Sequence, residues 1–123
     1  MALILVLTGD LLFGSRVQGA LTAAGHEVEM VGGRDALAKV LARESGSPAL
    51  LVVDLTDETL DGAGIVQSLT GELDGIRTLG FYSHVDVSAR ERAEAAGVRL
   101  VVPRSRMARE GAELVAGMLT EAA

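Results

Sequence analysis

The chain has no cysteine and no tryptophan, one tyrosine, two phenylalanines, two prolines and a single lysine, Lys39. Without cysteine there is no disulfide, no thiolate metal site and no cysteine nucleophile, and the composition agrees with a reducing, cytoplasmic setting. An aromatic content of 2% leaves little on which bases stack, and a formal net charge of −6 opposes the clustered cations that phosphate neutralisation requires. Nucleic acid is therefore not an expected partner. Apolar residues make up 49% of the chain but come in short runs, far below the ~20 residues of a bilayer span, so no membrane partner is expected either. The apolar opening, MALILVLTGD, has no basic residue ahead of it and no small-residue cleavage site behind it. A buried first strand is expected there, not a signal peptide.

What is present is an alternation of short aliphatic runs and amphipathic stretches. A length of 123 residues predicts one domain, 1–123, with its own core. Leu3 to Leu7 is an aliphatic run closed by Thr8-Gly9-Asp10, the pattern of a strand buried on both faces. Val17, Leu21 and Ala24 then recur at helical spacing, with Gly25 where a helix C-terminal glycine belongs. His26 to Val31 alternates as a second strand, and Leu37, Val40 and Leu41 mark a helix ending near Ser45-Gly46-Ser47-Pro48. Ala49 to Val53 forms a third strand ending on Asp54, followed by a helix over Gly62 to Leu73. Thr78 to Tyr82 is a fourth strand. Ser88-Ala89-Arg90-Glu91 has the Ser-x-x-Glu form of a capping box, predicting that the fourth helix starts there. Val98 to Val102 is the fifth strand, and Met107, Leu114, Val115 and Met118 line the last helix.

Strands alternating with helices imply parallel strands, right-handed crossovers and an open sheet covered on both faces: a three-layer αβα sandwich with a five-stranded parallel sheet. In such sheets chemistry gathers at the carboxyl ends of the strands. Thr8-Gly9-Asp10, Asp54 and Tyr82-Ser83-His84 should converge there, flanked by Pro103-Arg104.

Asp54 at the end of strand three, with Asp61-Gly62 seven and eight residues later, resembles the response-regulator receiver domains, which place a phospho-accepting aspartate and an Asp-Gly pair at that spacing. Ser83 near the family's switch hydroxyl and Ala96-Gly97 before strand five extend the resemblance over essentially the whole chain. It implies the flavodoxin-like, receiver (βα)5 topology, Asp54 at the phospho-acceptor position, and a sensor kinase or downstream effector as partner.

Three departures accompany it. The acidic pair that holds Mg²⁺ in the family falls on Thr8 and Gly9, leaving only the displaced Asp10 to supplement Asp54 as a metal ligand. The lysine at the end of strand five falls on Arg104, a planar fork in place of a compact ammonium, and Pro103 precedes it instead of following it. The switch hydroxyl falls on Tyr82 by an ungapped count from Gly97, or on Ser83 after a one-residue shift. The expectation is an atypical, stand-alone receiver-like domain acting as a non-catalytic protein-interaction module with no cofactor. The alternatives are a receiver phosphorylated on Asp54, with Mg²⁺ held by Asp10 and Asp54 and the state read by Ser83 and Arg104, or a small-molecule binder at the same cleft.

Plainer readings compete at several residues. Asp10 is read first as a helix N-cap. Ser83, His84 and Asp86 suggest a triad, but nucleophile and base on one loop rarely meet with a third group orienting the base. His26 and His84 are read as surface residues. Thr8-Gly9 with Gly14 matches neither the dinucleotide nor the phosphate-loop fingerprint. Arg90, Arg92, Arg106 and Arg109 belong to the segments that carry dimer or partner contacts in receivers, and a shared face would form a basic docking surface for an acidic partner or a homodimer. Local ion pairing on a solvated surface is the competing account.

Overall fold

The computed structural model describes residues 2–43 and 47–121. Five strands, β1 (Leu3–Leu7), β2 (Glu27–Val31), β3 (Leu50–Asp54), β4 (Arg77–Tyr82) and β5 (Leu100–Pro103), alternate with five helices. These are α1 (Leu11–Ala23), α2 (Arg34–Leu41), α3 (Gly62–Ser68), α4 (Val87–Ala95) and α5 (Arg104–Leu119). All strand pairs are parallel and the order is β2-β1-β3-β4-β5, the doubly wound flavodoxin-like arrangement.

The aliphatic runs are continuous because both sheet faces are covered. Ile4 and Val6 of β1 and Leu50 and Val52 of β3 pack with Phe13, Val17 and Leu21 of α1 and Met107, Val115 and Met118 of α5. Leu5, Leu7, Leu51 and Val53 pack on the opposite side with Leu37, Ile65, Val66, Ala89 and Ala93 of α2, α3 and α4. This period-2 partition between two helical layers is why no polar residue interrupts β1.

The expected boundaries hold in part, and each difference has a local cause. Gly25 ends the first helical segment as expected, with φ 95°. Of the proposed end of α2, Ser45 and Gly46 lie outside the described residues; the helix itself stops at Leu41. α3 stops at Ser68, short of Leu73, where Ser68 Oγ bonds to the Ile65 carbonyl at 2.9 Å and Thr70 Oγ1 to that of Gln67 at 2.7 Å. Such side-chain bonds compete with helix propagation. Leu69 and Leu73 nevertheless remain in the core. The fourth helix is capped by Asp86, not Ser88: the Asp86 carboxylate accepts from Ala89 N at 3.0 Å and Ser88 Oγ at 2.8 Å. Ser88 here is itself a donor to the capping carboxylate. β5 starts at Leu100, because Val98 N still bonds to the Ala93 carbonyl at 3.0 Å after the left-handed turn at Gly97.

Gly62 shows how closely α3 approaches the end of β3. A Cβ there would lie 2.6 Å from the Asp54 carbonyl oxygen and 2.7 Å from Val53 Cγ1. Gly62→Ala is expected to destabilise the chain by about 1–3 kcal/mol, the usual cost of overpacking. Gly19→Ala, inside α1 with nothing within 4 Å of the added carbon, should instead stabilise by about 0.5–1 kcal/mol. Urea denaturation of the two variants checks both signs.

Candidate functional site

β1 and β3 are neighbours in register, and this alone sets Thr8 beside Asp54 at the carboxyl edge. The Asp54 side chain is almost wholly buried, with 1% exposure for the residue. Thr8 Oγ1 donates to its Oδ2 at 2.7 Å, while Thr56 N and Thr56 Oγ1 donate to Oδ1 at 2.8 and 2.6 Å. A buried carboxylate is tolerated only with such partners. Thr8 Oγ1 also accepts from Asp10 N at 3.0 Å, so one hydroxyl ties the β1 loop to the β3 carboxylate.

Asp61 and Gly62 have structural work at their family-like spacing. Asp61 takes the left-handed conformation, φ 51°, and caps α3 by accepting from Gly64 N at 3.2 Å. With Gly62 against the Asp54 carbonyl, the pair turns the chain from the β3–α3 loop into its helix.

Asp10 caps α1 as expected, with Oδ1 accepting from Phe13 N at 3.0 Å. Its Oδ2 is 3.0 Å from Arg104 Nη2, and the Arg104 guanidinium carbon lies 4.3 Å from the Phe13 ring centroid. Arg104 therefore closes the edge between α1 and α5 as a cation resting on an aromatic face. The residues do not fit Mg²⁺. Asp54 and Asp10 already serve the protein's own donors, and no group of three His, Asp or Glu side chains suited to a metal occurs among the described residues.

Of the two switch candidates, Tyr82 is buried in the core and pairs in register with Pro103. Ser83 and His84, with Thr56, Arg16, Arg104 and Ser105, line an open cleft of about 420 Å³. The edge residues expected to converge do so. The triad does not form: the Asp86 carboxylate is engaged by Ser88 and Ala89, and only its backbone N–H reaches Ser83, at the carbonyl, 2.8 Å away. His84 is exposed, whereas His26, expected at the surface, is half-buried where α1 turns into β2.

The four arginines of the proposed docking face have acidic neighbours of their own. Arg90 approaches Glu94 at 3.7 Å, and Arg106 and Arg109 share Glu110 at 3.6 and 3.9 Å. Arg92 lines a different cavity, with Asp57, Glu58, Asp61 and Asp86 between α3 and α4. At half-exposed sites these contacts stabilise little, but they balance the positive charge locally.

Sequence reasoning missed the roles of Thr8 and Thr56. The signal for Thr56 was present: Asp-x-Thr at a strand end is a pattern in which a carboxylate bonds the backbone two residues on. Thr8 carried none, because its partner is 46 residues away.

No protein-family model and no curated protein matches the chain. Solved structures do. NtrX from Brucella abortus, determined with ADP, aligns with 96% of this chain at TM-score 0.82 and 21% identity, and the chain spans 27% of that protein. The receiver domain of the same NtrX aligns with 97% of the chain, over 99% of its own length, at TM-score 0.84 and 17% identity. The phosphorylated cyanobacterial phytochrome response regulator RcpA aligns with 99% of the chain, over 96% of its length, at TM-score 0.82 and 16% identity. The chain thus has the response-regulator receiver fold.

Two measurements follow from this geometry. Thr8→Val removes a donor to a buried carboxylate and should cost about 1.5–3 kcal/mol in urea unfolding. At Asp86, hydrogen bonds from Ser88 and Ala89, aided by nearby Arg92, hold the carboxyl below its ordinary value. The unfolded chain then binds the proton more readily, so this contribution is present above the unfolded-state pKa and lost as pH falls through the lowered one. Asp86→Asn should be less stable than the parent at neutral pH, and the difference should shrink in acid-titrated denaturation curves.

Proposed function

We propose that this chain is a receiver-like signalling module that acts by binding another protein, a sensor kinase or a downstream effector, without phosphorylation of Asp54 and without catalysing a reaction. The observation that carries the reading is the Asp54 carboxylate, buried to 1% exposure with both oxygens already accepting hydrogen bonds from Thr8 and Thr56. Attack on an acyl phosphate needs a free carboxylate oxygen and positive charge placed to offset the incoming anion. Freeing Asp54 here would break charge-assisted hydrogen bonds inside the protein. Arg104, at the position where the resemblance places a lysine, is engaged with Asp10 and Phe13. The receiver fold supports the signalling part of the reading, since its strand-end loops and flanking helices present several faces to partners while the sheet stays rigid.

Intact-mass analysis after incubation with acetyl phosphate and Mg²⁺, beside Asp54→Ala, tests it. The expected result is no phosphoryl adduct on either protein, with both folded. An adduct on the parent that vanishes in the variant would overturn the reading and make Asp54 a working phospho-acceptor.

A further inference from the structure

The groove between α1 and α5 has two parts with opposite chemistry. At the carboxyl edge is the cleft of about 420 Å³, where Arg16, Arg104, His84, Ser83, Thr56 and Ser105 supply donors. Adjoining it, between the helices, is an apolar cavity of about 220 Å³ walled by Phe13, Val17, Leu21 and Met107. Phe13, Arg16 and Ala108 are walls of both. α5 departs from helical geometry beside this cavity, at Glu110 (φ −126°, ψ 15°), where Gly111 follows and lines the same space. These volumes fall in or near the range of roughly 300–1,000 Å³ usual for small-molecule sites, which combine mostly apolar walls with a few convergent polar groups.

We propose that this groove binds a small carboxylate-headed apolar molecule, such as a medium-chain fatty acid, head at Arg16 and tail between α1 and α5. The charge fits a monoanion. Arg104 is neutralised by Asp10, whereas Arg16 makes no ion pair among the described residues. One uncompensated guanidinium therefore faces the cleft, able to take a carboxylate with two parallel hydrogen bonds. The start of α5 adds to it. Pro103 gives no side-chain cap and the first turn of α5 holds no acid of its own, so the helix start adds partial positive charge beside Ser105, which lines the cleft. The apolar cavity accounts for the tail: Phe13, Val17, Leu21 and Met107 belong to the α1/α5 core layer, and Ala20, Ala108 and Gly111 complete its lining. The inference rests on the phosphorylation-independent reading, because it supplies the module with an input other than phosphoryl transfer.

The test is titration of the isotope-labelled chain with octanoate, followed by NMR, with acetate, octanol and inorganic phosphate as comparison ligands. Octanoate should give saturable shifts confined to α1, α5 and the Ser83–His84 loop. Acetate, octanol and phosphate should each bind about tenfold more weakly or less, since each lacks the tail or the right head. Arg16→Gln should weaken octanoate by about tenfold or more. Ala108→Phe, which fills the wall common to both parts, should abolish binding. Both positions are exposed, so the fold should survive, and the spectra report this directly. A folded parent with no saturable octanoate shifts, binding unaltered by either variant, or phosphate binding as tight as octanoate would each overturn the proposal. A phosphoryl adduct on Asp54 together with normal octanoate binding would overturn the proposed function and leave the groove standing; no adduct and no octanoate binding would do the reverse.

Discussion

Asp54 is a charge at the end of a strand whose other residues are all buried and aliphatic, and the arrangement of the carboxyl edge follows from satisfying it. Thr8 reaches it from β1, Thr56 folds back on it from the following loop, and Asp10 N reaches Thr8 in turn. Removing any one donor leaves a buried acceptor short of a partner, which is costlier than the bond itself is favourable. The three donors therefore hold the β1–α1 and β3–α3 loops in one geometry. Asp10, positioned at the start of α1, is then able to meet Arg104 from the start of α5.

The same interaction separates this chain from what its fold suggests. Where the receiver resemblance would place carboxylates beside Asp54, this chain has the hydroxyls of Thr8 and Thr56, and a hydroxyl can donate to a carboxylate without adding charge. The result is a cluster whose acceptors are satisfied from within the protein. Arg104 completes the change: its planar guanidinium lies over Phe13 and bonds to Asp10, a pose that a lysine ammonium would not hold in the same way. The strand-end edge is thus occupied by its own side chains, and the accessible donors lie to one side, in the cleft between α1 and α5.

Close approach is the second constraint. Gly62 lets α3 touch the Asp54 carbonyl, and Gly14 lets α1 lie near Thr8, where an added carbon would sit 2.9 Å from Thr8 Cγ2 and 3.1 Å from Met30 Sδ. Both glycines flank the carboxylate cluster. The Asp61-Gly62 pair accordingly serves capping and close packing here.

Much of the architecture was legible from local patterns. The apolar runs at 3–7 and 49–53, the helical spacing of Val17 and Leu21, and Gly25 identified strands, helix and stop, because burial on both faces and backbone sterics leave marks on consecutive residues. Alternation of strand and helix then determined a parallel sheet and which edge would carry the loops. The cap of α4 and the early end of α3 were misjudged, because competition among Asp86, Ser88, Ser68 and Thr70 for nearby backbone groups is settled by geometry. What only the tertiary structure decided is who satisfies Asp54 and Asp10. Thr8 and Arg104 lie 46 and 94 residues from those partners, and hydrogen bonds at such separations exist only once sheet order and register bring the strand ends together.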